Sequence, residues 1–229
     1  MIIWVMTMRD TRKTETYFGN YIAYEKERIQ KKTEKLVQCD DEAKAQRIRG
    51  SLFLYQMNLM VASFSNGADK TVLEALFQDC CYTAQKMTVL TYEDALRMAS
   101  FSIMLHRSTE FRKVAERFSK VFDDDRLLNG LCSFAISGTV IWKGEYRFPA
   151  VYADIEEVLT AQEKLEKEKK LLCYLSGWYN RNKGSAWYGT LSSTNDVYYG
   201  YWSFESAAMA VIYGLDQEYL AQNEYFPKL

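Results

Sequence analysis

Residues 198–217, YYGYWSFESAAMAVIYGLDQ, place five aromatic side chains within seven residues and follow them with a run of small and apolar ones. The second part predicts a helix over 199–213, because glycine at position 214 is a common residue at the end of a helix. Such a density of aromatic residues is unusual for a surface helix, and it indicates a packed helix in the C-terminal half.

Three residues of this stretch would share one face of that helix: Tyr201, Glu205 and Ala208. The small residue allows a neighbouring helix to approach closely. A buried Glu205 needs polar partners, because an unpaired carboxylate is costly in a protein core. We therefore predict a polar and aromatic cluster in the core, with Tyr201 and Trp202 assigned chiefly to packing.

The composition of the 229-residue chain favours helices throughout. Only 2 Pro and 11 Gly interrupt a sequence rich in Leu, Ala, Glu and Lys. The predicted fold class is all-α, with antiparallel helical pairs stacked as a compact α-solenoid-like bundle. Capping residues and apolar periodicity predict further helices over 14–37, from an N-cap at Asp40 or Asp41 to 64, and over 70–86, 92–106, 110–122, 126–137, 151–159 and 161–179.

The clearest internal boundary is the segment 138–149, GTVIWKGEYRFP, where two glycines, a proline and the β-branched pair Val-Ile interrupt the helical period. We expect an N-terminal helical region over 1–137, a connecting segment over 138–149 and a C-terminal helical region over 150–229, packed as one compact unit. Residues 1–7 have the character of an upstream start-codon extension, which makes Met8 the expected native start.

The sequence lacks the motifs of most catalytic and cofactor sites. A net charge of −1 gives no overall attraction to nucleic acid, and the single His106 rules out sites built from several histidines. No glycine-rich phosphate loop is present, no apolar run is long enough to span a membrane, and no export signal is visible. The five cysteines without CxxC spacing favour reduced thiols in the cytoplasm. We expect neither cofactor nor metal nor enzymatic activity.

Two ends of the chain resemble a known family. The C-terminal stretch 198–217, with GSAWY before it and AQNEYFPKL after it, looks like the C-terminal signature of the PoNi family of bacterial immunity proteins. The N-terminal stretch MRDTRKTETYFGNYIAYEKERI is similar to the opening of the same family. The residues of these signatures on which we focus are Tyr17, Tyr21, Tyr24, Tyr199, Tyr201, Trp202, Phe204 and Glu205.

The resemblance implies an all-helical cytoplasmic protein that neutralises a cognate antibacterial toxin. In this family the typical partner is a PoNe-type DNase of the PD-(D/E)xK nuclease superfamily, delivered by type VI or other secretion systems. The immunity protein is expected to block the active site of a toxin encoded by the adjacent gene. It would bind no nucleic acid directly, and it would act as a monomer or as a homodimer.

A DNase groove must be electropositive to hold phosphates, so an inhibitor should present carboxylates to it. Exposed aromatic residues near the C-terminal loop are the other expected contacts. The predicted toxin-binding residues are Asp40, Asp41, Glu42, Asp123, Asp124, Asp125, Glu156, Glu157, Asp196, Trp178, Trp187 and Tyr188, with Glu205 considered beside Asp196.

Two alternatives remain open from the sequence. The helical pairs also suit a scaffold or adaptor with an unrelated protein partner. A metal-dependent nuclease would use acid-x-Lys triplets, of which 42–44 and 168–170 are examples, but both lie on predicted charged helix faces. We rank the nuclease last.

Overall fold

A computed structural model describes residues 8–229, and the proposed extension 1–7 lies outside the described residues. No β-strand occurs within residues 8–229, so the predicted all-α class is confirmed. The helices are α1 (Glu15–Val37), α2 (Glu42–Ser65), α3 (Lys70–Ala84), α4 (Tyr92–Leu105), α5 (Ser108–Arg117), α6 (Ser119–Asp123), α7 (Arg126–Ser137), α8 (Pro149–Tyr152), α9 (Ile155–Thr160), α10 (Lys164–Arg181), α11 (Phe204–Tyr213) and α12 (Gln217–Leu220).

Most long helices begin at a residue whose side chain satisfies a free backbone N–H of the first turn. In each case the side-chain oxygen accepts a hydrogen bond from the N–H three residues further on. For α2 the cap is Asp41 rather than Asp40. The five caps are Thr14, Asp41, Asp69, Thr91 and Asp125.

The helices group into two compact units, and the first contains α1, α2 and α3 together with residues Gly189–Gly200. Within it, Asn58 Nδ2 lies 3.4 Å from Glu25 Oε1, and the Arg28 guanidinium lies over the ring of Tyr55. From Glu25 to Arg28 the chain advances three residues along α1, whereas their partners go back three residues along α2, from Asn58 to Tyr55. The two helices therefore form an antiparallel hairpin, closed by the short connection 38–41.

The second unit contains the remaining nine of these helices, within Leu90–Tyr188 and Tyr201–Leu229. Here α4 packs against α7 and α11, and α10 packs against α9. The rings of Phe101 on α4 and Phe204 on α11 lie 4.3 Å apart between centroids. None of the helices in residues 8–229 combines the length and apolar character needed to cross a membrane.

The segment 138–149, which we expected to connect two regions, lies inside the second unit. It is fixed to the start of α7, because Arg126 Nη1 donates to the Trp142 carbonyl and the Arg147 N–H donates to Asp125. The Trp142 ring lies directly over Gly130. A side chain at position 130 would collide with this ring.

The predicted start of the C-terminal helix at 199 is wrong, because α11 begins only at Phe204. Gly200 has a φ of 124°, which is incompatible with a helix, and the Ser203 N–H donates to the Tyr225 carbonyl outside any helix. Residues 201 and 202 therefore reach the core from non-helical backbone.

Three other predicted helices differ from the structure. The helix predicted over 110–122 is divided at Phe118 into α5 and α6, and the one over 151–159 is divided into α8 and α9. The helix predicted over 161–179 begins later, at Lys164, and ends at Arg181. The short helix after each division buries an apolar residue, Phe122 in α6 and Ile155 in α9.

Two helical glycines give a matched test of this packing. Gly130→Ala should lower the free energy of unfolding by about 1–3 kcal/mol, because its Cβ would lie 1.8 Å from the Trp142 ring. Gly50→Ala in α2 should raise it by about 0.5–1 kcal/mol, because nothing lies within 4 Å of the new Cβ. Urea unfolding of both variants measures the difference, and equal effects would contradict the Trp142 placement.

Candidate functional site

The C-terminal signature surrounds a buried carboxylate. Glu205 Oε1 accepts hydrogen bonds from Tyr174 Oη at 2.7 Å, Trp178 Nε1 at 2.7 Å and Ser203 Oγ at 2.8 Å. All four residues are buried. Burial raises the pKa of Glu205, and the three donors oppose that change by stabilising the ionised form. The three side-chain hydrogen bonds to this core carboxylate thus come from neutral donors.

An aromatic cluster lies beside this carboxylate. The rings of Trp178 and Trp187 stack 5.1 Å apart, and Tyr179 stacks on Tyr188 at 4.5 Å and on Tyr225 at 5.6 Å. Helix α10, the loop after it and the C-terminal tail each contribute rings. The cluster therefore orders three separate parts of the second unit around α10.

The structure separates the three predicted aromatic contacts into two groups. Trp178 and Trp187 are buried, at 4% and 7% exposure, so their rings serve packing in this structure. Tyr188 is half-buried, and one face of its ring covers Tyr179. Tyr201, Trp202 and Phe204 are buried as well. Only Tyr188 among the three predicted aromatic contacts reaches the surface appreciably.

The N-terminal signature forms a second polar cluster, in the first unit. Tyr198 Oη donates to the buried carboxylate of Asp10 at 2.5 Å, and Tyr17 Oη donates to the Tyr198 carbonyl at 2.9 Å. Tyr21 is buried, and its ring lies 6.4 Å from that of Tyr199. These contacts join the start of the chain to residues 198–200.

Not every signature residue is internal. Tyr24 is 55% exposed on α1, where its ring faces the Arg28 guanidinium at 5.1 Å. It therefore contributes to a surface of the first unit rather than to the core.

The three consecutive aspartates 123–125 have different environments. Asp125 is buried, and its carboxylate accepts from the Leu128 N–H, the Arg147 N–H and Tyr92 Oη. Asp123 and Asp124 are exposed, and neither forms an ion pair with any residue in 8–229. Only the first two aspartates are available to a partner.

Two of the predicted carboxylates are neutralised within the second unit. Glu156 receives two hydrogen bonds from Arg126, at 2.7 and 2.8 Å, and these lower the pKa of Glu156. Glu157 pairs with Lys170 at 2.8 Å. Both carboxylates thus form ion pairs with neighbouring helices, Glu156 with α7 and Glu157 with α10, although Glu157 remains exposed.

The remaining carboxylates lie in the first unit. Asp40, Asp41 and Asp196 are exposed, and Asp41 is occupied as the cap of α2. Glu42 is exposed but bonds Gln46 and Arg49, which lower its pKa. Within residues 8–229, no group of three or more His, Cys, Asp or Glu side chains could hold a metal ion.

Sequence reasoning missed several residues of these clusters. Asp10, Tyr174, Tyr179 and Tyr225 contribute contacts to these clusters, but none of them was predicted as a signature or binding residue. Asp10 and Tyr225 do fall within the two signature stretches quoted from the sequence. Their partners are far away along the chain, so only the folded structure identifies their roles.

Both signatures lie within regions that match known family models. Residues 9–116 match the model described as PoNe immunity protein (PoNi), N-terminal. Residues 123–229 match the model described as PoNe immunity proteins (PoNi), C-terminal. The chain belongs to the PoNi family. The family assignment predicted from the two signatures is therefore confirmed.

One solved structure shows the same fold as this PoNi chain. The crystal structure of protein PA2201 from Pseudomonas aeruginosa is similar with a TM-score of 0.74 and 14% sequence identity. The match covers 96% of this chain and 88% of PA2201. At this identity the similarity concerns the fold alone. The search of curated proteins gave no significant match.

Replacing Glu205 should show how strongly the second unit depends on it. Glu205→Ala should lower the free energy of unfolding by about 3 kcal/mol or more, because three buried donors lose their acceptor. Glu205→Gln should cost less, since its amide oxygen can still accept. Urea unfolding followed by tryptophan fluorescence measures both; equal losses would contradict the role of the carboxyl oxygen.

The raised pKa of Glu205 also predicts a pH dependence of stability. Because the folded state raises the pKa of Glu205 above its ordinary value of 4.5, the folded state binds this proton more tightly than the unfolded state. The resulting stabilisation is present below that value and is lost as pH rises through the raised pKa. The free energy of unfolding of the native protein relative to Glu205→Gln should therefore fall over this range, and a constant difference would contradict the shift.

Proposed function

We propose that this PoNi protein binds a cognate toxin of the PoNe nuclease type and neutralises it by covering the active site. The match to both halves of the immunity-protein family, over 9–116 and 123–229, carries this proposal. No observation favours the scaffold or adaptor alternative specifically. The proposed mode of action is stoichiometric binding, without catalysis by the immunity protein.

The exposed pair Asp123 and Asp124 is the proposed contact with the toxin's phosphate-binding groove. Such a groove must be electropositive, and two carboxylates without an internal cation can replace the phosphates of DNA there. The pair is also held in place. The next residue, Asp125, is fixed by three hydrogen bonds, and Gly144 packs against the Asp124 backbone.

An apolar side chain supplements this acidic pair. Phe148 is 44% exposed, and its ring rests on Tyr92 with centroids 4.8 Å apart. Phe148 follows Arg147, whose N–H is bonded to Asp125, so the ring is connected to the aspartate turn. Aromatic side chains that are rigid before binding lose little conformational entropy in an interface. We include Phe148 in the proposed surface.

The other predicted residues rank below this pair. Asp40, Asp41 and Asp196 remain secondary candidates because they are exposed. Glu42, Glu156 and Glu157 would have to leave existing partners to bind a toxin. We leave the buried residues Asp125, Trp178, Trp187 and Glu205 out of the surface, and we retain Tyr188 as a peripheral contact.

The remaining parts of the proposal concern the biological setting. We propose that the toxin is a DNase encoded by the adjacent gene and delivered to competitors by type VI or a related secretion system. The immunity protein would meet it in the cytoplasm, without binding nucleic acid itself, as a monomer or a homodimer. These features follow from the typical members of the family.

Co-expression with the adjacent gene tests the proposed function. The neighbour should stop growth when expressed alone, and growth should recover when this protein is present. The two proteins should also elute as one complex. A neighbour that is harmless alone, or that stays toxic with this protein in excess, would contradict the immunity function.

The double variant Asp123→Lys/Asp124→Lys tests the proposed surface. We expect its dissociation constant for the toxin to rise at least about tenfold, because like charges would then face each other. The control Glu116→Lys/Glu166→Lys reverses two other exposed carboxylates that form no ion pair within residues 8–229, and it should bind within about twofold of the native protein. Equal affinities for the two variants would remove the pair from the interface.

A further inference from the structure

The α1·α2 hairpin carries a basic surface, opposite in charge to the Asp123–Asp124 pair. One flank of α1 presents Tyr24, Arg28 and Lys35, at positions that share a face of a helix, and Lys32 lies at its border with α2. Across the hairpin, Tyr55 and Arg47 lie two turns apart on one side of α2. We name this surface the basic–aromatic strip: Tyr24, Arg28, Lys32, Lys35, Arg47 and Tyr55.

Arg28 is held rigidly at the centre of the basic–aromatic strip. Its guanidinium lies 3.5 Å from the centroid of the Tyr55 ring and 5.1 Å from that of Tyr24. Its Nη1 donates to Glu25 Oε1 at 2.9 Å, and Glu25 is fully buried beneath it. The side chain of Arg28 nevertheless keeps 30% of its surface exposed. An arginine fixed in this way presents its outer edge to a partner with little entropy left to lose.

The outer cations of the strip form no ion pair within residues 8–229. Neither Lys35 nor Arg47 forms an ion pair with any residue in 8–229, and both are exposed. Lys32 lies 5.9 Å from the Tyr55 ring centroid and likewise lacks a carboxylate. The nearby pairs Lys31–Glu27 and Arg49–Glu42 neutralise each other. The strip therefore keeps a local positive charge on a chain whose net charge is −1.

We propose that the basic–aromatic strip docks an acidic segment of the protein toxin. The proposal rests on the proposed immunity function and adds a second contact of opposite charge to the Asp123–Asp124 pair. Arginine and tyrosine are the residues that most often dominate binding at protein interfaces. Carboxylates of the partner would meet the outer edge of Arg28 and the amino group of Lys35.

Two observations favour a protein segment over a nucleic acid. Tyr24 and Leu54, the residue before Tyr55, are 55% and 47% exposed, and a protein partner can cover such apolar surface. The net charge of −1 gives no long-range attraction to a polyanion. Short-range binding of a protein partner's carboxylates is consistent with both the exposed apolar side chains and the low net charge.

Charge reversal on the strip, with a matched control, tests the proposal. Lys35→Glu/Arg47→Glu should weaken binding of the purified toxin at least about tenfold, with a shallower dependence on salt. Lys26→Glu/Lys183→Glu makes the same change in net charge at exposed residues outside the strip, and it should bind within about twofold of the native protein. Lys26 lies on the opposite flank of α1, two residues from Arg28.

A neutral variant completes the test. Tyr24→Ala removes no charge and should also weaken toxin binding, because it removes one of the two rings that hold Arg28. If the native protein binds no toxin, the immunity function itself fails. If the native protein and all three variants bind toxin equally, only the strip proposal fails.

The nucleic-acid alternative has its own measurement. Fluorescence anisotropy with a labelled single-stranded DNA oligonucleotide should show no binding by the native protein at physiological salt. DNA binding that disappears in Lys35→Glu/Arg47→Glu, together with unchanged toxin affinity, would overturn the protein-segment proposal in favour of nucleic acid.

Discussion

The buried carboxylate of Glu205 is the interaction on which the second unit depends most. One oxygen of this residue accepts from a tyrosine, a tryptophan and a serine that lie on α10 and just before α11. All three donors are neutral, and they must stay in place to compensate the buried carboxylate for lost hydration. The aromatic rings packed around Trp178 and Tyr179 keep them there. The polar centre and its aromatic surroundings therefore stabilise each other.

Local chemistry explains why much of the fold could be predicted from the sequence. Helices begin at Thr14, Asp69 and Thr91 because the side-chain oxygen of each accepts a hydrogen bond from the free N–H three residues further on. Such an interaction involves only neighbouring residues and can be predicted from the sequence. The start of α11 could not be predicted in the same way. Its position depends on the positive φ of Gly200 and on the hydrogen bond from the Ser203 N–H to the Tyr225 carbonyl. Both are features of the folded chain.

The candidate site was less predictable than the fold for a related reason. Acidic residues are visible in a sequence, but the partners that neutralise them are not. Asp125, Glu156 and Glu157 have the same charge as Asp123 and Asp124, yet their carboxylates are used by Tyr92, Arg126 and Lys170 respectively. Only distances across the second unit separate structural carboxylates from those left free for a partner.

A protein with almost no net charge can still recognise a charged partner selectively. Its carboxylates at 123 and 124 and its cations at 35 and 47 form no ion pair with any residue in 8–229, so each keeps its local field. A nuclease groove alone attracts any acidic protein, because its charge is that required for DNA. If binding also requires the basic–aromatic strip, a partner that fits only the acidic pair is excluded. The charges of the strip would then lose hydration in the complex without gaining an oppositely charged group. Mixed charge thus favours specificity, which an immunity protein needs more than long-range attraction.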